Sequence, residues 1–535
     1  MAPRVVIAGG GVAALEAALA LRALVEERVT IELVGPEPHF FYRPLSVAEP
    51  FGLGDTQRFE LGTLAAGAGA TFTLGALEGV DAAGHVAKTS VGEIEYDVLL
   101  VAVGAVPAVA VPGALLFRGP ADADKFRVLL DAVAAGGARR VAFVVPPGTV
   151  WSLPVYELAL MTATHLGKHL VQGVELVLVT AEDEPLQVFG PAGSAAVRHL
   201  LSERGIELVT GTRAVDVVDG ELRLAPEGRV EADHVVALAR LQGARLDGVP
   251  QTLDGFVPVD THCRVRGLGD VYAAGDITTF PVKQGGIATQ MADAAAQMIA
   301  SRLGADLRPQ PFRPVLRGLL LTGREPRYLR HADDGDGGDA ATTEPLWWPP
   351  AKIVGRHLAP FLAGLAGVQS AAEAELEPGA IGIEVELAHA ALEKLSKRLE
   401  PDGADGDTVG EVMTTELLVV SPEQPLAEVA ERMRVLDVGA AAVAQDEQLI
   451  GILTSRDLLR ALAAGADPQV ARIGEWMTAE PVAVPASTFV ETALSLMSEH
   501  GIHRLPVVEG GRPVGMLGFR QAAQSARGRG IGLGF

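Results

Sequence analysis

Two short apolar runs lie near the start of the chain, separated by a glycine-rich turn and a helix-forming segment. The runs are residues 4–8 and 29–34, and the segment, residues 15–24, consists mainly of alanine and leucine. Apolar runs of this length are typical of buried strands, and a helical segment between two of them is typical of a βαβ unit. The pattern therefore predicts an α/β fold at the start of the chain.

The turn after the first apolar run has the composition of a phosphate-binding loop. Gly9 permits the tight turn, Gly11 lets the backbone approach a pyrophosphate, and Ala14 is small enough for close packing of helix against strand. The free N–H groups at the start of the helix attract phosphate oxygens. We therefore expect a dinucleotide here; a glycine-rich turn in another kind of α/β protein is the alternative.

The segment after the second apolar run contains two further candidates. An acidic side chain just past this strand would hold the ribose hydroxyls of the adenosine half. Gly35 occupies the expected position, and Glu37 follows two residues later. We take Glu37 as the candidate, with a solvated turn glutamate as an equal alternative. Arg43 lies in the same segment and is a further candidate for cofactor binding.

A second strand–helix–strand pattern covers residues 139–145, 154–166 and 174–180. The turn of this unit, residues 146–154, contains one glycine beside three prolines and a tryptophan. Proline lacks the N–H donor that a phosphate needs, and the indole ring would block close approach of a ligand to the backbone. We expect a nicotinamide dinucleotide to bind weakly at this turn.

A third signal combines an apolar strand and a small-residue turn in residues 269–277, with Asp276 at the end of the turn. Lys283 and Gln284 follow and precede a small-residue helix, residues 287–299. The start of a helix stabilises negative charge placed close to it, and Lys283 would reinforce this effect. This segment is therefore a second candidate for the same cofactor site.

The last part of the chain contains an internal repeat. Residues 409–414 match residues 473–478, and the offset of 64 recurs between Met433 and Met497. It recurs again between residues 451–453 and 515–517. A constant offset across separate blocks indicates duplication of one structural unit.

Composition and charge exclude several classes of protein. A chain of 535 residues is too long for one core, and a mean hydropathy of +0.27 suits a compact fold. The net charge of -23 argues against nucleic acid as a partner. The single cysteine, Cys263, excludes an internal disulfide and a redox dithiol, and we expect it to be buried within a strand.

Membrane and metal signals are weak. The longest uncharged run, residues 98–117, is broken by prolines and glycines, so we predict no transmembrane segment. No secretory pattern is present, and we expect a cytoplasmic protein. The paired tryptophans at residues 347–348 leave peripheral membrane contact open, but packing over the flavin or in a dimer seam is the preferred interpretation. His165 and His169 are four residues apart but have no third ligand nearby, so we predict no metal site.

Residues 1 to about 330 resemble the FAD-dependent pyridine nucleotide–disulfide oxidoreductase superfamily. They look closest to the branch of type II NADH dehydrogenases and sulfide:quinone oxidoreductases. The matching positions are Gly9, Gly11, Ala14, Ala102, Gly104, Pro107, Gly275, Asp276 and Lys283. The resemblance implies bound FAD and two dinucleotide-binding domains, the second inserted in the first.

The same resemblance implies roles for individual residues. Gly104 would lie where the chain leaves the FAD domain, and Asp276 would bind the ribityl chain of FAD. Lys283, our candidate catalytic residue, would lie with Gln284 near the flavin pyrimidine ring. The chain departs from the family in lacking the redox cysteines and in its second turn. Because Glu157 and Glu182 stand where NADH-binding relatives often carry acids, weak NAD(P)H binding stays open.

Residues 408–527 resemble a tandem pair of CBS domains, a module that binds adenosine nucleotides in that family. The first repeat has the intact motif of residues 451–457, which implies Thr454 near phosphate and Asp457 on the ribose. The second repeat has Gly518 and Gln521 at the equivalent positions. Arg456, His503 and Arg504 are the cations available for the phosphates of an AMP- or ATP-type ligand. A purely structural dimerisation module is the alternative.

We predict an α/β chain with two Rossmann-like three-layer domains, an α+β interface region and a CBS pair. The predicted boundaries are 1–115 and 251–305 for the FAD domain, 116–250 for the inserted NAD(P)-binding-like domain, 306–400 for the interface and connector region with a helix at 384–400, and 408–527 for the CBS pair (408–465 and 472–527).

Two functions remain open on these grounds. The first is an FAD-dependent oxidoreductase that passes electrons from NAD(P)H or another reductant to a quinone or small acceptor. In this function adenine nucleotide at the CBS pair would regulate the enzyme, and we expect a homodimer. The second is a flavin-bearing sensor or interaction protein without turnover.

Overall fold

The computed structural model describes residues 2–323, 327–330, 340–342, 352–365 and 380–386, and most of residues 408–522. It divides into two compact units, Met1–Glu400 and Pro401–Phe535. Each unit has its own hydrophobic core. The paired tryptophans at residues 347–348, which we considered for membrane contact, lie outside the described residues.

The first sheet of the larger unit has five parallel strands. Two of them, Val98–Val101 and Val271–Ala273, are neighbours in space but far apart in sequence, because a second domain is inserted between them. In spatial order the strands are Val271–Ala273, Val98–Val101, Arg4–Ala8, Thr30–Gly35 and Thr71–Leu74. Side chains of the central strand alternate between two cores, since Val5 and Ile7 pack in one and Val6 and Ala8 in the other.

Different layers cover the two faces of this sheet. Helices Val12–Val25 and Gly285–Arg302 pack together on the face of Val5 and Ile7. The antiparallel strands on the other face are Leu77–Asp81, Val86–Thr89 and Gly92–Glu95. The result is a three-layer domain, as the sequence pattern predicts.

A second sheet of the same architecture follows. Its residues are inserted in the sequence between strands Val98–Val101 and Val271–Ala273, which are neighbours in the first sheet. Its parallel strands are, in spatial order, Leu115–Phe117, His234–Leu238, Arg140–Val144, Glu175–Val179 and Ile206–Val209. Its helices are Ala123–Ala134, Leu153–Lys168 and Gly190–Glu203. The antiparallel strands on its other face are Arg213–Val218, Glu221–Ala225 and Arg229–Glu231. Strands Ala105–Ala108 and Arg240–Gly243 pair at the passage between the domains.

The remaining elements of the larger unit are short. They comprise the hairpin His39–Phe41 and Arg58–Glu60, helices Leu61–Gly67 and Leu358–Leu365, and a sheet ordered Val315–Leu321, Ala380–Glu386, Arg327–Arg330 and Ala340–Thr342. The predicted helix at 384–400 is wrong at its start, because residues 384–386 belong to a strand. The sequence alternates apolar and other residues from Ile381 to Val385, which is the period of a strand.

Cys263 corrects a second expectation. We predicted a buried thiol within a strand, and the side chain is fully buried. Its backbone, however, has φ +61° in a turn that begins at Asp260. The Asp260 side chain accepts hydrogen bonds from the amides of His262 and Arg264, and this holds the turn.

The smaller unit contains the predicted repeat. One sheet is ordered Val419–Val420, Ala440–Gln445, Gln448–Thr454 and Thr478–Ala479, and the other Val484–Pro485, Arg504–Glu509 and Arg512–Gly518. The helices are Val409–Val412, Leu426–Val435, Ser455–Ala463 and Val490–Glu499. Each sheet is built mainly from one copy of the repeat, and strand Thr478–Ala479 of the second copy joins the sheet of the first.

The start of each repeat packs on the other repeat. A Cβ at Gly515 would lie 2.3 Å from the sulfur of Met413, and one at Gly451 would lie 2.4 Å from that of Met477. These two contacts are related by the repeat offset itself. The duplicated sequence therefore folds as an interlocked pair, in which a methionine of each repeat packs on a glycine of the other. Neither glycine can carry a side chain without displacing that methionine.

Candidate functional site

The glycine-rich turn of the first sheet leaves one side open for a ligand. Gly9 has φ +144°, and a Cβ there would lie 2.2 Å from the carbonyl oxygen of Ala102. Gly11 precedes helix Val12–Val25, and a Cβ there would meet no described atom within 4 Å. Ala14 is fully buried against the sheet. Gly9 is thus required by the protein's own backbone, whereas Gly11 borders free space at the helix N-terminus.

The predicted FAD motifs from distant parts of the sequence meet at this turn. Gly275 has φ +79°, and a Cβ there would lie 3.2 Å from the Cβ of Ala13 in the first turn of the helix. Gly104, with φ +77°, follows strand Val98–Val101, which lies between the other two strands in question. Parallel pairing places all three carboxyl ends at one edge of the sheet, where α/β domains bind ligands.

Asp276 provides a carboxylate at this edge without a protein donor. No hydrogen bond from the described chain reaches it, although the residue is partly buried. Burial raises its pKa, and the positive charges of Lys283 and Arg43 oppose that rise. A ligand hydroxyl would give this carboxylate the hydrogen bond that it lacks.

Lys283 lies in the same charged group. Its ammonium donates to the carbonyl oxygen of Thr278 and stands 3.9 Å from the centroid of the Phe256 ring. Burial lowers the pKa of Lys283 to about 8, against the attraction of Asp276. The amine can therefore change its protonation near neutral pH when the charge beside it changes.

Gln284 and Glu37 have different surroundings from those of Lys283. The Gln284 Oε1 accepts from the amide of Ile287 at 2.8 Å, and its Nε2 donates to the carbonyl oxygen of Arg317 at 3.2 Å. Gln284 is therefore the N-cap of helix Gly285–Arg302 and fixes where that helix begins. Glu37 is exposed, with no hydrogen bond to the described chain.

The residues at this edge fit FAD. Open space at Gly11 and the helix N-terminus suit a pyrophosphate, and the unpaired carboxylate of Asp276 suits a polyhydroxyl chain. Lys283 and the start of helix Gly285–Arg302 place positive potential on the same side.

The turn of the second sheet is closed by its own side chains. Ser152 precedes helix Leu153–Lys168, and its hydroxyl lies 3.3 Å from the Glu182 carboxylate. Trp151 packs against Phe189, with ring centroids 5.9 Å apart. Both Ser152 and Glu182 are almost completely buried. Packed side chains therefore fill the helix end of this turn, where the first sheet has the exposed Gly11.

Glu157 forms a buried ion pair that the sequence did not reveal. Its carboxylate lies 2.8 Å from the ammonium of Lys352, and it also accepts from the amide of Leu321 at 2.8 Å. Lys352 donates in addition to the carbonyl oxygen of Pro44 at 3.0 Å. Burial raises the pKa of Glu157, and Lys352 opposes that rise. No short-range signal connects residues this far apart in sequence, so neither partner could be assigned beforehand.

The segment after Lys352 contacts both helices of the first domain. Glu16 accepts hydrogen bonds from the amides of His357 at 2.8 Å and Leu358 at 2.7 Å, at the start of helix Leu358–Leu365. Asp293 lies beside Glu16, and burial together with that negative charge raises the pKa of Asp293 to about 7. The signal available in the sequence was a single glutamate within a helix of alanine and leucine.

Glu16, Asp293 and His357 have ligand atoms within 4.8 Å of one another. Both Glu16 oxygens already accept backbone amides, and the raised pKa of Asp293 shows that its surroundings disfavour its charged form. The grouping serves to hold the segment, and the prediction that the protein has no metal site stays a prediction.

The intact motif of the first repeat forms a helix cap. Asp457 Oδ2 accepts from the amide of Thr454 at 2.8 Å and from its hydroxyl at 2.7 Å, and Oδ1 lies 3.1 Å from Arg460. In the second repeat, Gln521 accepts from the amide of Gly518 at 3.0 Å. The Thr454 hydroxyl, which we expected near phosphate, therefore donates to Asp457.

The predicted cations lie close to this motif or are exposed. A Cβ at Gly439 would lie 3.4 Å from Arg504 Nη2 and 3.9 Å from the hydroxyl of Ser455, so Arg504 of the second repeat reaches the first. Arg456 is exposed, and His503 packs against Phe519 with ring centroids 5.7 Å apart. In the described residues, neither Arg456 nor Arg504 has an ion-pair partner.

Each of the two compact units matches a known protein family. Residues 3–297 match the family described as pyridine nucleotide-disulphide oxidoreductase, and residues 409–464 and 473–524 match the CBS domain. The chain belongs to the first of these families and carries a C-terminal CBS pair. It is an FAD-dependent oxidoreductase.

Individual relatives cover one unit or the other. The sulfide:quinone oxidoreductase of Aquifex aeolicus superposes with a TM-score of 0.55 and 21% identity, over 60% of this chain and 81% of its own, and so shares the fold. The CBS domain-containing protein YhcV of Bacillus subtilis is 38% identical over 22% of this chain and 83% of its own length. Hypoxic response protein 1 of Mycobacterium tuberculosis is 34% identical over 21% of this chain and 78% of its own length.

The comparisons and the structure confirm the predicted fold class and the CBS pair. Within the described residues, none of the helices combines the length and the apolar character that crossing a bilayer requires.

Proposed function

We propose that the larger unit passes electrons through FAD from a reductant to a quinone or another small acceptor. The supporting observation is the meeting of Gly11, Gly275–Asp276 and Lys283 at one edge of the first sheet. FAD bound there would accept two electrons from a donor and release them to an acceptor. The edge combines space for a pyrophosphate, an unpaired acceptor and a positive charge.

The chain's own residues would bind, orient and adjust this cofactor. Gly11 and the helix N-terminus would hold the pyrophosphate, and Asp276 would accept hydrogen bonds from the ribityl hydroxyls. Lys283 would stabilise negative charge on the reduced ring by keeping its proton, because added negative charge raises the pKa of a nearby amine. Gln284 would fix the helix start that adds to this potential.

Thiol chemistry forms no part of the proposal. Cys263 is the one cysteine of the chain and is fully buried, and burial raises the pKa of its thiol far above the usual range. The thiolate is the reactive form of cysteine, so the side chain would be inert toward sulfide or disulfide substrates.

We propose further that an AMP- or ATP-type nucleotide binds the CBS pair and changes the rate of electron transfer. Asp457, Arg456, His503 and Arg504 would provide the carboxylate and cations for ribose and phosphate. Homodimer formation remains a prediction of the same proposal, and peripheral contact with a membrane surface stays open.

A steady-state assay of the FAD-loaded protein with NADH, NADPH and a soluble quinone tests the proposal. Chemical reduction of the flavin followed by mixing with quinone isolates the second half of the reaction. We expect quinone to reoxidise the flavin, at a rate that AMP or ATP changes in the wild type and leaves unchanged in Asp457→Ala. A reduced flavin that neither quinone nor any other small acceptor tested reoxidises would exclude this function.

A non-turnover sensor is the second candidate, and one observation favours it. The second sheet is closed at its turn, and Glu157 and Glu182 are both engaged by protein groups. Flavin that neither a dinucleotide nor a quinone reduces or reoxidises, together with nucleotide binding at the CBS pair, would support the sensor.

A further inference from the structure

Glu182 lies just past strand Glu175–Val179, at the edge where a sheet of this topology binds its ligand. An acid at this position serves a dinucleotide only if its oxygens face the ribose. The Glu182 side chain instead turns inward and is 1% exposed. Its position is therefore that of a ligand-binding acid, but its contacts are internal.

Four protein donors surround the carboxyl group. Tyr156 donates its hydroxyl proton to Oε2 at 2.8 Å, Thr180 donates to Oε2 at 3.0 Å, and the amide of Gln187 donates to Oε1 at 3.2 Å. The Ser152 hydroxyl lies 3.3 Å from both oxygens. Burial raises the pKa of Glu182, and these donors oppose that rise.

Backbone amides orient two of these hydroxyl groups, those of Thr180 and Tyr156. The Thr180 oxygen accepts from the amide of Glu182 at 3.1 Å, and the Tyr156 oxygen accepts from the amide of Leu186. Each hydroxyl therefore directs its own proton at the carboxyl group. The site is built around an acceptor that the protein itself supplies.

The adjoining helix start has few donors left for a ligand. Ser152 is the N-cap, Pro154 in the first turn has no N–H, and the Val155 amide donates to the Ser152 carbonyl at 3.1 Å. The first sheet differs, because helix Val12–Val25 has no proline in its first turn and borders open space at Gly11.

We propose that Glu182 is a specificity-determining residue that closes the second sheet to NAD(P)H, so that the flavin takes its electrons from a different class of donor. The proposal rests on the proposed oxidoreductase function. It gives Glu182 the role opposite to that of a ribose-binding acid: its carboxyl group consumes the donors that a dinucleotide would need. Trp151 and Pro154 then complete the closure.

The test uses full-length, FAD-loaded protein carrying Asp457→Ala, so that NADH does not compete for the CBS pair. Flavin reduction is followed against NADH and NADPH concentration in this background and with Glu182→Ala or Glu182→Gln added. Glu184→Ala is the matched control, because it removes the same charge from an exposed residue paired with Arg198.

We expect no saturation in the Asp457→Ala background or with the Glu184→Ala control. At least one Glu182 variant should instead saturate, with half-saturation at least tenfold below the highest dinucleotide concentration tested in the Asp457→Ala background. Saturable reduction at micromolar NADH in the Asp457→Ala background would overturn the proposal. So would the absence of any gain in Glu182 variants that still retain FAD.

Chemical reduction and reoxidation by quinone are measured on the same samples. This second reaction does not depend on the second sheet. Its loss would count against the oxidoreductase function, while the NADH titration alone decides the role of Glu182. Should both Glu182 variants lose FAD, the Asp457→Ala titration still decides, because saturable reduction there contradicts closure.

Discussion

Gly9 and Gly11 stand two residues apart in one turn and have different physical reasons to be glycine. Gly9 cannot carry a side chain because the carbonyl of Ala102 occupies that space, whereas Gly11 faces open space. Gly11→Val should therefore fold, with a melting temperature close to that of wild-type protein without FAD, but lose the yellow colour of bound flavin. Absorbance at the flavin maximum after gel filtration measures this.

Retention of stoichiometric FAD by Gly11→Val would contradict the placement of the pyrophosphate. Gly9→Val is the control that separates the two reasons, since its side chain would collide with backbone and should destabilise the protein whether or not FAD is present.

Asp457 and Gln521 allow a matched comparison, because each caps the corresponding helix of its repeat. Losing a helix cap costs about 1 kcal/mol, so both alanine variants should lose similar stability. Only Asp457 offers a carboxylate to ribose, and losing such a charge-assisted contact costs about 1.5–3 kcal/mol. Asp457→Ala should thus weaken AMP or ATP binding roughly tenfold or more, and Gln521→Ala much less.

Calorimetry with AMP and ATP measures this difference. Equal loss of affinity in both variants would show that Asp457 acts as a cap alone. Absence of binding in the wild type would favour the structural role of the CBS pair.

At the scale of elements, the two helices of the first domain hold the segment before helix Leu358–Leu365 through a pair of acids. Asp293 has a pKa of about 7 in the folded protein, because of burial and the neighbouring Glu16, against about 4 in an unfolded chain. Arg356 and His357 are the other ionisable groups there. Arg356 partly offsets the rise, and burial lowers the pKa of His357.

Folding therefore takes up a proton on Asp293 between about pH 4 and pH 7. The contribution of this group to stability is present at the low end of that range and falls as pH rises through it. Asp293→Asn should flatten the fall and leave the melting temperature at pH 8 equal or higher, because the amide can donate to Glu16 as the protonated acid does. Calorimetric scans from pH 5 to pH 8 measure this, and an unchanged slope would contradict it.

At the scale of the whole molecule, the chain consists of two compact units with separate cores. FAD should raise the melting temperature of the larger unit, and AMP or ATP that of the smaller. A ligand at a hundredfold excess over its Kd stabilises its unit by about 2.7 kcal/mol. Gly11→Val should remove the first shift alone and Asp457→Ala the second alone.

Flavin fluorescence on heating reports the larger unit, and circular dichroism reports both. If AMP or ATP also changes the temperature at which flavin is released, the units are energetically coupled, as regulation requires. Loss of both shifts in either single variant would contradict separate binding sites.

The sequence by itself determined the features that depend on local pattern. Apolar runs and helix-forming segments determine the two parallel sheets, because burial of a strand or helix face requires that periodicity. The glycines of the first turn indicated a dinucleotide, and the repeat offset indicated a duplicated unit. The resemblance of these segments to known families then implied FAD and the CBS pair. The prolines and Trp151 already predicted weak dinucleotide binding at the second turn.

Only the tertiary structure decided how the buried charges are used. Glu182 follows a strand as a ligand-binding acid would, and its inward direction depends on Tyr156 and Ser152 from the adjoining helix. Glu157 meets Lys352, and Glu16 meets residues 357–358, across separations that no local pattern spans. Burying a carboxylate is unfavourable unless donors surround it, and those donors come together only when distant segments pack.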